Sequence, residues 1–170
     1  EDTCQSAHAA MKKPPTAPLL IQNGTVILPD RLIEDGAVLC ERGRIKAVGK
    51  GIAVPKNAVV MDAKGGYISP GLIDIHVHGG GGFDFMDGTE TAFLKIAETH
   101  AQYGTTAMLP TTLSGSHDEL LQTLNAYENA NCNNENGAQF LGMHLEGPYF
   151  AMNQRGAQDL KYIRNPIPEE

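Results

Sequence analysis

The period of the hydrophobic positions along this chain changes near Pro70. From residue 19 to residue 69, short apolar runs of strand character alternate with turn dipeptides: 19–22, then Asn23-Gly24, 25–28, Asp35-Gly36, 37–41, Arg42-Gly43 and 44–48. The pattern predicts a small β region. Its strongest hairpin signal is Arg42-Gly43, set between Val38-Leu39-Cys40-Glu41 and Arg44-Ile45-Lys46-Ala47-Val48, because glycine readily supplies the positive φ of a two-residue turn.

Beyond Pro70, strands alternate with helices. A strand over 71–78 precedes a helix over about 89–103, where Asp87 and Glu90 have capping-box spacing and Phe93, Ile96, Ala97 and His100 share one face. Gly104 ends that helix. A strand over 105–111 leads to a second helix opened by Ser116 and Glu119, again a capping box, with Leu120, Leu121, Leu124 and Tyr127 as its buried face. A third strand, about 139–146, stops at Gly147-Pro148. Strand starts near 71, 104 and 139 make a repeat of about 34 residues, which predicts parallel strands joined by crossover helices. A closed barrel of eight such units needs roughly 250 residues, and about 100 follow Pro70. The segment is therefore either a small open sheet or the first part of a larger barrel.

Chemistry concentrates where the first of these strands ends. In Pro70-Gly71-Leu72-Ile73-Asp74-Ile75-His76-Val77-His78, alternation puts Asp74, His76 and His78 on one side and Ile73, Ile75 and Val77 on the other. Two neutral imidazoles about 7 Å apart along one face can converge on a divalent ion at about 2 Å. An HxH pair on a strand is as readily a hydrogen-bonded core pair. Ligation is favoured here by the Pro-Gly start, the third polar residue on the same face, and the four glycines 79–82 that leave the mouth open. Those glycines form neither GxGxxG nor a P-loop, since no phosphate cradle with lysine follows.

In Phe140-Leu141-Gly142-Met143-His144-Leu145-Glu146, the same rule places Leu141, Met143 and Leu145 outward, and Phe140, Gly142, His144 and Glu146 on the opposite face. Glu146 thus shares the strand C-terminal end with His76 and His78, where catalytic groups of (β/α)8 enzymes gather. Asp74 reads as an acceptor orienting a ligand histidine or as a polar residue low in a barrel layer. His144 reads as a structural or orienting residue ahead of a ligand. His100 and His117 read as surface residues, and 131–136 as a solvated linker.

Composition narrows the field. The 170 residues are 41% hydrophobic and 19% charged, which is globular, and the net charge of −7 with no basic stripe argues against a nucleic-acid surface. No apolar run approaches the roughly 20 residues of a membrane span. Residues 1–18 are polar and proline-rich without an apolar signal core, and read as a disordered leader. Cys4, Cys40 and Cys132 are odd in number and widely spaced, neither a disulfide framework nor a zinc finger, which suits a reducing cytoplasm.

The motifs Pro70-Gly71-Leu72-Ile73-Asp74-Ile75-His76-Val77-His78-Gly79-Gly80, Gly104-Thr105-Thr106 with Pro110-Thr111, and His144-Leu145-Glu146-Gly147-Pro148 followed by Arg155-Gly156-Ala157 resemble the N-acetylglucosamine-6-phosphate deacetylases of the amidohydrolase superfamily. The first motif marks the superfamily broadly; the last pair is much narrower. The resemblance covers residue 19 to the end, about half of a typical member. It implies an α/β protein: a small β-sandwich domain over 19–69, then the first three βα units of a (β/α)8 metal-dependent hydrolase barrel over 70–170. It implies removal of acetate from N-acetylglucosamine 6-phosphate, with one or two divalent ions, zinc first and iron or another first-row ion next. Glu146 matches the principal metal ligand, and His76 with His78 match the pair for a second ion. Ala157 and Gln158 match sugar-contacting positions, although histidine often stands where this chain has Gln158. Further histidine ligands, phosphate-binding residues and an aspartate general base are expected after position 170, so no residue present is assigned the acid/base step. A cytoplasmic homodimer or larger oligomer is implied, with no membrane or nucleic-acid partner. Alternatives are an amidohydrolase acting on a cyclic amide, like a dihydroorotase or hydantoinase, and an inactive metal-binding fragment. The cyclic-amide enzymes usually bridge their metals with a carboxylated lysine, where this chain has Glu146.

Overall fold

The computed structural model describes residues 17–168. Apart from Ala17 and Pro18, the expected leader lies outside the described residues. The chain divides after Pro70 into two compact units.

The first unit is one mixed sheet of β1 (Leu19–Ile27), β2 (Leu32–Glu41), β3 (Arg44–Gly49), β4 (Val59–Asp62) and β5 (Tyr67–Ile68). Its order is β3-β2-β1-β4, with β5 also pairing β1; β1, β2 and β3 run antiparallel in succession, while β4 and β5 are parallel to β1. The Arg42-Gly43 hairpin forms as expected, with φ of 51° and 74°, the two positive values its turn requires. Asn23-Gly24 and Asp35-Gly36 do not end strands. Asn23 and Asp35 take positive φ within β1 and β2, Gly24 faces Gly36 across the ladder, and the register shifts on both sides. Paired irregularities let the ladder continue where a single one would break it. They also switch faces: Leu20 packs with Ala37 and Leu39, whereas Val26, of the same parity as Leu20, packs with Val38 and Ile68. Both faces of this sheet therefore carry apolar clusters.

The second unit contains β6 (Leu72–Val77), the short hairpin β7 (Gly79–Gly80) and β8 (Phe83–Asp84), α1 (Glu90–Gln102), β9 (Thr105–Pro110), α2 (His117–Asn133) and β10 (Gln139–Phe140). Its sheet is all parallel in the order β10-β9-β6, as the repeat predicts. Phe85, Phe93, Ile96, Ala97, Met108 and Phe140 form the core between this sheet and the helices, with Tyr127 against it. The Phe93 and Phe140 rings meet edge to face at 6.0 Å.

Four local expectations need correction. The box ahead of α1 joins Asp84 to Asp87 around a single 3-10 turn, and α1 itself is capped by Thr89, whose Oγ1 accepts from the Ala92 N–H at 3.2 Å. The Ser116–Glu119 box forms at α2 as expected, and its hydrogen bonds from the Ser116 backbone and hydroxyl hold the Glu119 carboxyl below its usual range. The buried stripe of α2 is Thr123, Ala126 and Ala130, while Leu120 and Leu124 are half-buried and Leu121 is exposed. Small residues there leave room for the aromatic core. The helix also runs through Asn133, into the stretch expected to be linker.

Finally, the third strand is broken. Gln139 and Phe140 pair with Ala107 and Met108, an offset of 32, but His144 bridges Thr111, an offset of 33. One residue is inserted between, at Gly142 with φ of +145°, a conformation that favours glycine. Phe140 therefore faces the helices and not the expected opposite side, while Leu141 and Leu145 are each 52% exposed. Cys40 is a free thiol.

Candidate metal centre

Three elements deliver the site. β6 ends in His76-Val77-His78, the segment after the Gly142 insertion brings in His144 and Glu146, and β9 between them continues into Thr111 and Thr112. The ligand atoms of His76, His78 and Glu146 lie within 4.8 Å of one another. Glu146 Oε2 is 3.1 Å from His78 Nε2 and 3.6 Å from His76 Nε2. Donors about 2.0–2.1 Å from a tetrahedral ion stand about 3.3 Å apart, so these separations fit one divalent ion. The side chains of His76, His78 and Glu146 are 46%, 33% and 26% exposed, which leaves open the position a substrate or water would take.

Hydrogen bonding supports the same reading. His78 Nδ1 is 3.2 Å from the Thr111 carbonyl oxygen, and a carbonyl only accepts, so Nδ1 carries the proton and Nε2 turns its lone pair toward Glu146. Two acceptors 3.1 Å apart require a positive charge between them. With a third donor converging on the same point, a metal ion meets that need better than a proton. The residues present fit a divalent ion.

The other candidates fall into place around this cluster. His144 is not among the converging donors; its Nδ1 lies 3.2 Å from His76 Nδ1, which leaves His76 Nε2 for the metal side. Asp74 accepts from the backbone N–H of His76 at 3.1 Å, so its carboxylate touches the ligand's main chain and not its ring. His100, expected at the surface, is half-buried and its Nε2 donates to the Gly79 carbonyl at 3.1 Å, pinning the glycine hairpin to α1. His117 is exposed at the start of α2. Ala157 is exposed. Gln158 is buried, and its Oε1 accepts from the Ser114 N–H at 2.8 Å while Arg155 donates to its main-chain oxygen at 2.8 Å.

The sequence reading missed what β9 contributes. Thr111 and Thr112 are fully buried, the Thr111 hydroxyl accepts from the Val77 N–H at 3.1 Å, and the Thr112 hydroxyl accepts from the Glu146 N–H at 3.1 Å. Ser114 is buried beside them, and its Oγ, without a hydrogen-bond partner, fills the space a side chain at Gly147 would need. The signal was available in the repeat, since each hydroxyl bond joins residues 34 positions apart.

Comparison with known proteins agrees with this geometry. The N-acetylglucosamine-6-phosphate deacetylase of Bacillus subtilis (strain 168) is 33% identical over 158 residues, covering 86% of this chain and 38% of that protein. The crystal structure of N-acetylglucosamine-6-phosphate deacetylase from Pasteurella multocida superposes with a TM-score of 0.80 at 26% identity, covering 89% of this chain and 40% of that one. A dihydroorotase of Geobacter sulfurreducens is 51% identical over 61 residues, but these are 35% of this chain and 14% of that protein. The chain thus spans about two fifths of the deacetylases it resembles. Residues 67–170 match the Amidohydrolase family, and with its His-x-His pair and glutamate gathered at the strand ends, this chain belongs to that family.

Proposed function

We propose that the protein carrying this chain is a metal-dependent deacetylase that hydrolyses N-acetylglucosamine 6-phosphate to glucosamine 6-phosphate and acetate. The observation that carries the reading is the convergence of His76, His78 and Glu146 on one point within a family of hydrolases; the substrate rests on the deacetylases that match along most of the chain. Glu146 would be the principal ligand, and His76 and His78 would complete its site or hold a second ion. Zinc suits imidazole and carboxylate donors, as do iron and other first-row ions. When bound, such an ion supplies Lewis acidity toward an amide carbonyl and acidifies water.

The chain's own residues set the stage for that chemistry. Thr111 fixes the tautomer of His78, His144 orients His76, and the glycine hairpin follows directly on His78 and is pinned to α1 by His100. Ala157 would touch the sugar, and Gln158 would offer it the amide nitrogen left over from the Ser114 bond. Residues 71–168 would be the first part of a (β/α)8 barrel, supported by the parallel β10-β9-β6 order and by Leu72, Ile73 and Ile75 of β6, each more than 60% exposed and suited to cover by further elements. Residues 19–69 would belong to a β-sandwich, supported by apolar clusters on both sheet faces.

No helix among the described residues is long and apolar enough to cross a membrane. An amino-sugar phosphate is charged and does not cross a bilayer unaided, which supports a cytoplasmic enzyme. A homodimer or larger assembly, with no nucleic-acid partner, is proposed on the resemblance. The dihydroorotase similarity favours a second reading, hydrolysis of a cyclic amide, against which stands Glu146 in the place of a carboxylated lysine. Acetate release from N-acetylglucosamine 6-phosphate by the zinc-loaded full-length protein is the expected result. Turnover of dihydroorotate with no acetate release would replace the first reading by the second.

A further inference from the structure

We propose that Thr112, acting with Thr111, is a positioning residue of the metal centre: this pair on the non-ligating middle strand fixes the backbone that carries the ligands. The inference rests on the metal-hydrolase reading above and deepens it.

Parallel ladders run out at their C-terminal ends, where the last N–H groups need acceptors that no neighbouring backbone supplies. Val77 N–H, between the two histidines, and Glu146 N–H, on the carboxylate ligand itself, are such groups. Each finds a threonine hydroxyl from the middle strand, Thr111 for Val77 at 3.1 Å and Thr112 for Glu146 at 3.1 Å. The main chain of the same two residues closes the arrangement. Thr111 N–H donates to the Val77 carbonyl at 2.9 Å, Thr112 N–H donates to the His144 carbonyl at 3.0 Å, and the Thr111 carbonyl accepts from His78 Nδ1 at 3.2 Å. Both threonines are 0% exposed, so water cannot replace a lost hydroxyl. Thr111 Oγ1 also donates to the Leu109 carbonyl at 3.0 Å, which orients its lone pairs toward Val77. Main-chain bonds from the His144 N–H to the Pro110 carbonyl and from the Thr112 N–H to the His144 carbonyl anchor the segment two residues earlier, and the Thr112 hydroxyl extends that anchoring to Glu146 itself, whose N–H has no other partner among the described residues.

The test is zinc affinity of the full-length protein, measured by competition with a chromophoric chelator, with the visible absorption of the cobalt(II) form as a second readout of ligand geometry. Thr112→Val keeps the shape and removes the acceptor; it should weaken zinc binding by about 10–100-fold and alter the cobalt band. Thr112→Ser keeps the acceptor and should bind within about threefold of wild type. If Thr112→Val does not accumulate as folded protein, Thr112→Ala against Thr112→Ser gives the same comparison, since only the hydroxyl distinguishes them. A loss smaller than tenfold with an unchanged cobalt spectrum, or a serine variant as weak as the variant lacking the hydroxyl, overturns the inference while leaving the metal site intact. A wild-type protein that takes up no stoichiometric zinc, or a Glu146→Gln variant that binds as wild type does, overturns the metal reading itself and the inference with it.

Discussion

In residues 17–70 local turn conformations shape the antiparallel ladder, the two positive-φ residues of the Arg42-Gly43 turn and the kinks at Asn23 and Asp35 that keep β1 and β2 paired, while β4 and β5 reach β1 from about 40 positions away. In residues 71–168 the bonds that shape the chemistry join positions 33 or 34 apart, Thr111 to Val77 and His78, and Thr112 to Glu146. A sheet built from local turns can lose one turn and keep its remaining pairings. A site assembled once per βα repeat depends on each repeat having the right length and on the strand in the middle.

Six experiments break or sharpen that contrast. The largest effect belongs to the ligands: His78→Ala or Glu146→Ala should abolish stoichiometric metal and activity, checked by elemental analysis and acetate release, with the fold retained by circular dichroism. Next is the aromatic core. Phe93→Ala should destabilise the second unit by about 3–5 kcal/mol and weaken metal binding as well, because Phe93 packs with the core beneath β9 and β10. Leu20→Ala should cost about 2–5 kcal/mol in the first unit and leave zinc affinity unchanged, and an equal loss of affinity would erase the distinction. Smaller again is Gly43→Ala, which forces a side chain into φ of +74° and should cost about 1–2 kcal/mol in denaturant melts, without effect on catalysis. Gln158→Ala should raise KM by about five- to tenfold, the worth of one hydrogen bond, with kcat nearly unchanged; steady-state kinetics showing a fall in kcat alone would remove Gln158 from sugar contact. The faintest effect is at the α2 cap. Ser116 lowers the Glu119 pKa from 4.5, so the ionised form is favoured by folding; its contribution is present above that value and disappears as pH falls through the lower folded-state value. Thermal melts of wild type and Glu119→Gln should therefore converge in acid.

What could be read in advance followed the same division. Period specified β6, α1 and β9, and period together with the Ser116–Glu119 box specified α2, because amphipathic spacing and a capping box are local signals. The His76, His78 and Glu146 cluster was legible because strand alternation and the common C-terminal end of parallel strands place them together. Four features were not. Asn23-Gly24 and Asp35-Gly36 carry turn chemistry, yet pairing opposite each other turned both into kinks within continuous strands, which only the register reveals. Gly142 has the residue type for an inserted position, but strict alternation through 139–146 put Phe140 on the wrong side. On α2 the leucines looked like the buried face, and crowding by Phe85, Phe93 and Phe140 selected threonine and alanines instead. Thr112 escaped notice because threonine is unremarkable in a strand until its partner, 34 residues on, is known.

The pair of buried hydroxyls just past β9 also bears on how related sequences should be sorted. A gene copy that keeps His-x-His and the glutamate but has valine or alanine at both threonine positions would still match any ligand motif, yet it would have lost the means of holding those ligands in register. Such copies are the ones to suspect of having drifted from catalysis, and the two middle-strand positions would flag them before any protein is made.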